Sequence, residues 1–359
     1  MNMRSHGAGS RYVGELPQGC RICKKGAKLV LLITGRCAAS CYYCPLSSKK
    51  KGRDVIYANE MKIKYVEGAI AEARLIDAEG TGITGGDPLE VLDRTIMFIK
   101  HLKDEFGKDH HIHLYTASIN IQAFKALEAS GLDELRIHPP LHMWRRLEET
   151  NIADFVANTN MDVGFEIPAI PDMKSEIVEL VSYANRAKMD FVNLNELEVS
   201  ETNWRRLKAK GFEVKNDISS AVLGSEELAI EILKLDLEIS RHYCSSAFKD
   251  RIQMRNRIKR RAKNIARAGD IITKDGTLLK GVIEGNKLRE ISDYLISEFE
   301  VPKELIYIDR GKKRIEIAPW ILEEISSFLP YNCYIIEEYP TADKLEVERE
   351  QLPSQAKRH

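Results

Sequence analysis

The chain has 359 residues, and its 54 Lys and Arg cancel its 54 Asp and Glu, so overall charge points to neither a nucleic-acid nor a membrane partner. At 43% hydrophobic it can bury a large core, as one big α/β domain with additions or as two domains. The opening MNMRSHGAGS lacks an apolar signal-peptide core and no run reaches the roughly 18 apolar residues that span a bilayer, so a cytoplasmic protein is expected.

In chain order, residues 1–27 form an N-terminal extension carrying Cys20 and Cys23. From 28 to 224 short apolar runs alternate with longer amphipathic stretches. The predicted strands are 28–34, 80–85, 111–116, 134–138, 163–168 and 191–197, with helical spacing at 89–106 and 120–130 and Gly131 as a helix stop. Six strand–helix alternations predict a parallel sheet with right-handed crossovers. Polar residues gather where successive strands end: the cysteines, Gly-Gly-Asp, Thr116 and Ser118, His138, Glu166 and Pro168, then Asn195 and Glu196. That pattern favours a partial (β/α)6 TIM-like barrel, although an open doubly wound sheet also collects ligands at strand C-termini. Residues 225–269 read as a helical, partly basic segment, with helices at 225–240 and 249–267. Residues 270–359 read as a small α+β domain with strands near 279–283, 305–308 and 333–337.

Five of the seven cysteines lie between positions 20 and 44, which suits metal binding in a reducing compartment better than a disulfide framework. Cys37, Cys41 and Cys44 follow the first strand at C-x3-C-x2-C spacing. A helix could align them on one face, but Gly35 and Pro45 bracket the motif and disfavour a continuous helix. A zinc ribbon could pair Cys20-x2-Cys23 with Cys41-x2-Cys44, leaving Cys37 over and forcing an apolar strand into the connection. The favoured reading is a loop around an iron–sulfur cluster, in which three thiolates leave one iron of a four-iron cubane open. Tyr43 would then supply an aromatic wall.

Gly85-Gly86-Asp87 ends the second strand. Paired glycines admit close approach of a ligand to the backbone, and the carboxylate can meet an ammonium group; a plain tight turn is the default for such a sequence. Cys20, Cys23, His242 and Cys244 flank the core at its two ends and could assemble a second metal site, zinc or iron–sulfur. Cys333 reads as core, and His110, His111 and His113 as structural, on the face away from the site. The 249–267 stretch holds nine basic residues and one acid, which could follow a phosphate backbone, yet Ile258, Ala262 and Ile265 share one face and favour a solvated amphipathic helix.

Cys37-x3-Cys41-x-Tyr43-Cys44 followed by Thr84-Gly85-Gly86-Asp87-Pro88 resembles the radical S-adenosylmethionine (radical SAM) superfamily. TGRCAASCYYCPLS, YANE, HIHLYT, GLDELRIHP and HYCSSAFKDRIQ extend the likeness to an archaeal-type group related to the enzymes that activate pyruvate formate-lyase. Many relatives carry Glu where Asp87 stands. The resemblance implies a 4Fe–4S cluster on Cys37, Cys41 and Cys44, with S-adenosylmethionine chelating the open iron and Gly85, Gly86 and Asp87 orienting its ammonium group. It further implies reductive cleavage of S-adenosylmethionine and hydrogen abstraction from a substrate, with Thr116, Ser118, Glu166 and Asn195 as candidate cofactor or substrate contacts. A reducing electron donor is the implied partner, and the substrate is left open among protein, RNA and small molecule. The rival reading is a non-catalytic zinc-ribbon protein that binds RNA through its basic helix.

Overall fold

The computed structural model describes residues 2–356, which divide into two compact units, one up to Met254 and one from Arg255 onward. In the first unit, a hairpin of β1 (Arg4–Gly7) and β2 (Ser10–Val13) precedes the short helix α1 (Gln18–Lys24). Strand β3 (Lys28–Thr34) leads into the cysteine loop, which returns as the small hairpin β4 (Ile56–Ala58) and β5 (Met61–Ile63). Then come α2 (Val66–Leu75), β6 (Gly80–Gly85), α3 (Leu92–Phe106), β7 (His111–Thr116), α4 (Ile121–Ala129), β8 (Glu134–Ile137), α5 (Ile152–Val156) and β9 (Asp162–Ala169). The unit finishes with α6 (Lys174–Arg186), β10 (Phe191–Glu196), α7 (Trp204–Ala209), α8 (Ser225–Leu233), β11 (Ser240–Cys244) and α9 (Ser246–Phe248).

The sheet order β3-β6-β7-β8-β9-β10-β11 follows the chain, and every neighbouring pair is parallel. An order that never reverses has no switch point, so this is the barrel alternative and not the doubly wound one. Six strand–helix repeats are followed by a seventh parallel strand, β11. Helix α8 stops at Leu233, well short of the expected 240, because the chain must turn back to lay Ser240–Cys244 beside β10. Hairpins finish both edges: β2 pairs antiparallel with β11, and β4 with β3.

Alternation along these strands separates two buried layers. Ile112, Leu114, Leu135, Ile137, Val163, Phe165, Val192 and Leu194 belong to the apolar core. Their neighbours His113, Glu134, Arg136, Asn193 and His242 are equally buried but polar, and they face the interior. Helix α1 lies under the N-terminal halves of β6–β8: Ile22 sits against Gly80, and the Gly19 amide donates to Glu134 Oε2 at 3.0 Å.

The second unit opens on α10 (Arg255–Ile265) and β12 (Ile271–Ile272). It continues as β13 (Leu278–Glu284), α11 (Leu288–Phe299), β14 (Ile306–Asp309), β15 (Arg314–Ile317), α12 (Pro319–Ile325) and β16 (Asn332–Glu338), with β17 (Glu346–Gln351) added. The order β14-β15-β13-β16, all antiparallel, is the ferredoxin-like βαββαβ arrangement. Ile283, Leu295, Ile315, Leu322 and Cys333 form its core, so Cys333 is a packing residue. On the other face Lys280, Arg314, Glu316 and Glu338 build a buried ion lattice, with Lys280 Nζ 2.7 Å from Glu338 and Arg314 NH2 2.6 Å from Glu316.

The segment expected as one helical stretch, 225–269, is therefore divided: α8, β11 and α9 serve the first unit, and α10 the second. The predicted 249–267 helix starts as a π-helical turn at Lys249–Met254 before α10 takes over. Ile258, Arg261 and Ala262 of α10 are buried, Arg261 donates to the Pro340 carbonyl, and Arg267 reaches Glu316 at 2.6 Å. Part of the basic charge thus serves internal pairing.

Candidate active site

The cysteine loop leaves β3 at Thr34 and is pinched at its stem. Gly35 N donates to Arg53 O and Gly52 N to Gly35 O, both at 2.8 Å. A Cβ on Gly35 would sit 1.8 Å from Lys50 O, so only glycine fits. Residues 37–44 have no helical turn, which removes the helical reading of the motif. Beyond the stem, Asp54 is held down to about 2 chiefly by the Arg94 guanidinium, which also donates to the Ile33 carbonyl.

Two anchors place the thiols. At the end of β6, Gly86 N donates to Thr34 O (2.8 Å) and Asp87 N to Arg36 O (2.7 Å). A Cβ on Gly85 would lie 2.3 Å from Thr34 O, and one on Gly86 2.0 Å from Arg36 O. The glycine pair is therefore demanded by backbone-to-backbone contact with the loop stem. On the far side Asn203 Nδ2 donates to Tyr43 O (2.9 Å), Thr202 Oγ1 to Leu46 O (2.9 Å), and the Ser48 hydroxyl to Glu201 Oε1 (2.8 Å).

Asp87 is tied to the end of the neighbouring strand. Its side chain is buried and accepts from Thr116 Oγ1 (2.7 Å), Ser118 Oγ (2.6 Å) and Leu89 N (3.1 Å). With three protein donors on it, the carboxylate holds Thr116 and Ser118 in place. The hydroxyl hydrogens of Thr116 and Ser118 are in turn directed at Asp87, so as direct contacts these two offer only lone pairs. Thr116 reaches the cavity wall and Ser118 stands behind it.

The cavity bounded by the loop measures about 710 Å³. Cys37, Cys41, Cys44, Gly85, Gly86 and Thr116 line it, together with Tyr43, His138, Glu166 and Asn195. His138 Nδ1 lies 2.7 Å from the Glu166 carbonyl oxygen, which only accepts, so that nitrogen carries the proton. Nε2 then accepts from the Tyr43 hydroxyl at 2.8 Å, and burial keeps His138 below its ordinary range, in the neutral form. Burial pushes Cys37 up to about 11, and Asp87, Cys41 and Cys44 add to the rise; Cys41 is raised as well. Cys41 and Cys44 thus oppose ionisation of Cys37, a penalty that a cationic iron core would reverse.

Beneath this cavity is a second chamber of about 400 Å³ on the polar inner face. Cys20, Cys23, His242 and Cys244 all line it, so the structure brings the four predicted residues to one place, with Cys20 Sγ 3.7 Å from His242 Nδ1. Cys41 and Cys44 face the upper cavity instead, so the zinc ribbon of Cys20, Cys23, Cys41 and Cys44 is not assembled. Arg136 ties the two levels together: Nε donates to Glu134 Oε1 (2.5 Å) and NH1 to Glu166 Oε2 (2.7 Å). Burial alone would raise Glu166, but Arg136, Asn193 and Asn195 outweigh it and hold the carboxyl below its usual range. His111, His113 and Glu134 cluster on this inner floor and not on the face away from the site; Glu134 is already taken by Arg136 and the Gly19 amide. Arg136, Asn193 and Asn203 escaped the sequence reading, the first two because a polar residue between apolar ones in a strand looks solvent-facing. The available signal was that both strand faces had to be covered.

A sequentially ordered parallel barrel with a three-thiol loop at its C-terminal rim defines a metallocluster enzyme of the α/β-barrel type. The comparisons carry this further. The description "Radical SAM superfamily" matches residues 31–146, and a domain of unknown function matches 276–352. A protein of Methanocaldococcus jannaschii whose name assigns it, provisionally, to the glycyl-radical enzyme activating enzymes is 45% identical over 356 residues, covering 93% of this chain and 92% of that one. The chain belongs to the radical SAM superfamily. It is an enzyme whose cofactors are a 4Fe–4S cluster and S-adenosylmethionine. Among solved structures, Streptococcus suis SuiB bound to S-adenosylmethionine is 13% identical with a TM-score of 0.39, covering 62% of this chain and 51% of that one. Kitasatospora setae TsrM, a radical S-adenosylmethionine methyltransferase with cobalamin and a 4Fe–4S cluster bound, is 9% identical with a TM-score of 0.36, covering 67% and 52%. The chain spans about half the length of these two. No helix among the described residues is long and apolar enough to cross a membrane.

Proposed function

We propose that this radical SAM enzyme cleaves S-adenosylmethionine reductively in the upper cavity and takes a hydrogen atom from a glycine residue of a partner protein. The observation that carries the reading is the single cavity shared by three thiols of one loop, the Gly85–Gly86 turn and a polar rim. The protein substrate is supported by the name of the 45% identical relative.

Cys37, Cys41 and Cys44 would hold three irons and leave one without a protein ligand. When bound, the cluster supplies the electron that breaks a carbon–sulfur bond of S-adenosylmethionine, giving methionine and a 5′-deoxyadenosyl radical. The chain's own residues bind, orient and exclude. Gly85 and Gly86 present backbone without side chains at the cavity wall. Asp87 fixes the Thr116 and Ser118 hydroxyls. Tyr43, locked to His138, closes the loop side, and Glu166 with Asn195 offers acceptor and donor groups suited to ribose hydroxyls. A low-potential one-electron donor must serve the loop.

Anaerobic reconstitution with iron and sulfide, then reduction with dithionite in the presence of S-adenosylmethionine, should yield 5′-deoxyadenosine. Cys37→Ala should reduce it to background. A spectroscopically intact cluster that forms none under these conditions rejects the reading. For the partner, a glycyl-radical protein of the same organism should acquire a glycyl doublet in its paramagnetic resonance spectrum.

A further inference from the structure

We propose that the lower chamber is a second metal centre, in which Cys20, Cys23, His242 and Cys244 hold a thiophilic cation. Local geometry aims the four together. Cys20 and Cys23 are three apart on α1 and share a helix face; His242 and Cys244 are two apart on β11 and share a strand face. Both faces border the lower chamber.

Cys20 Sγ and His242 Nδ1 stand 3.7 Å apart. Two ligands of one tetrahedral zinc, at about 2.3 Å for sulfur and about 2.0 Å for nitrogen, would be roughly 3.5 Å apart. Cys23 and Cys244 line the same 400 Å³ chamber, and although the only trio of ligand groups already within 4.8 Å of one another among the described residues is His111, His113 and Glu134, rotation of the two thiols toward the Cys20–His242 pair would complete a Cys3His donor set. Such a set with a divalent cation carries one net negative charge, and the chamber supplies cations at each thiol. Arg136 NH2 donates to Cys20 at 3.5 Å, and Lys28 and Lys249 line the chamber alongside Cys23 and Cys244.

Finally, Tyr43, Thr84, Tyr115, His138, Glu166 and Asn195 line both cavities, so the chamber adjoins the site where, on the reading proposed above, a carbon radical forms. A free thiol surrenders its hydrogen atom readily to such a radical. A metal-bound thiolate has no S–H hydrogen to give.

The test removes the upper ligands first. Full-length Cys37→Ser/Cys41→Ser/Cys44→Ser protein, purified anaerobically, is assayed for zinc, iron and sulfide per chain and for the thiolate-to-metal charge-transfer band after loading with cobalt(II). About one zinc per chain, or iron with matching sulfide, supports the centre, and the two contents separate a single cation from a cluster. Adding Cys20→Ala and Cys244→Ala should lower the metal content at least about tenfold. A folded triple variant, judged by circular dichroism, that holds neither metal and shows no cobalt–thiolate band overturns the proposal; so does metal content unchanged by losing Cys20 and Cys244. Because the triple variant makes no 5′-deoxyadenosine in any case, this result is independent of whether the upper cavity works as proposed.

Discussion

Replacing Gly86 by alanine puts the backbone packing at the loop stem under direct test. The added methyl would lie 2.0 Å from Arg36 O and 2.5 Å from Arg36 C, both main-chain atoms that cannot rotate away. Ordinary contact needs about 3.5 Å, so the loop stem must retreat by about 1.5 Å. That movement strains or breaks the bonds from Gly86 N to Thr34 O and from Asp87 N to Arg36 O, and it carries Cys37 with it. Overpacking of about 1–3 kcal/mol plus two hydrogen bonds of about 1 kcal/mol each gives a loss of about 3–5 kcal/mol. Misplacing a reacting group by an ångström costs on the order of 100-fold in rate, so 5′-deoxyadenosine formation should fall by at least that factor. Urea unfolding followed by circular dichroism reads the first number, and chromatography of the reaction mixture the second. Gly107→Ala is the control: its φ is +84° and ψ 177°, a backbone region that favours glycine, with nothing within 4 Å of the new methyl, so backbone strain of about 1–3 kcal/mol is expected with no change in rate per folded molecule. A Gly86→Ala protein within about 0.5 kcal/mol of the parent and equally active would refute the argument.

Arg136→Met should lower stability by about 3–5 kcal/mol, because Glu134 and Glu166 are left buried without their cation; a shift below about 1 kcal/mol in denaturant titration contradicts the buried-pair account. Asp87→Asn turns one acceptor into a donor facing Thr116 and Ser118, so 5′-deoxyadenosine formation should drop about 10- to 100-fold while iron content stays at the parent level; loss of the cluster instead would show that Asp87 serves the loop alone. His6 and His110 are pushed down to about 4, by burial first and by Lys24 and Lys103 respectively. The unfolded chain binds these protons from about pH 6.5 downward and the folded chain only near 4, so stability is full above 6.5 and falls toward 4, by at most about 1.4 kcal/mol per pH unit per imidazole. Cluster-free protein unfolded in urea at pH 7 and pH 5 checks the sign, and greater stability at pH 5 would contradict it.

Runs such as KLVLLIT and HIHLYT were legible as strands because their apolar positions meet the outer helices, and the cysteine spacing located the upper cavity. Ser240–Cys244 was not legible as a strand. Its inward residues, His242 and Cys244, face a polar chamber, while Arg241 and Tyr243 face the other way, so no apolar alternation marks it. The same reason hid Arg136 between Leu135 and Ile137. Gly85–Gly86 was recognisable as a special turn, but its cause, a loop stem pressed against it from fifty residues upstream, lies in tertiary contact alone. Asp87 was legible as a carboxylate beside the glycine pair and not as the acceptor for the hydroxyls of Thr116, at the end of β7, and Ser118, just past it.

The pairing of β2 with β11 sets a schedule. Tyr12 aligns with His242 and Val13 with Arg241, so the second and last strands of the unit are seamed together. At a synthesis rate of roughly 5–20 residues per second, the hairpin waits on the order of 10–50 s after leaving the ribosome before its partner emerges. Until then its edge is open, and Cys20 and Cys23 are without His242 and Cys244.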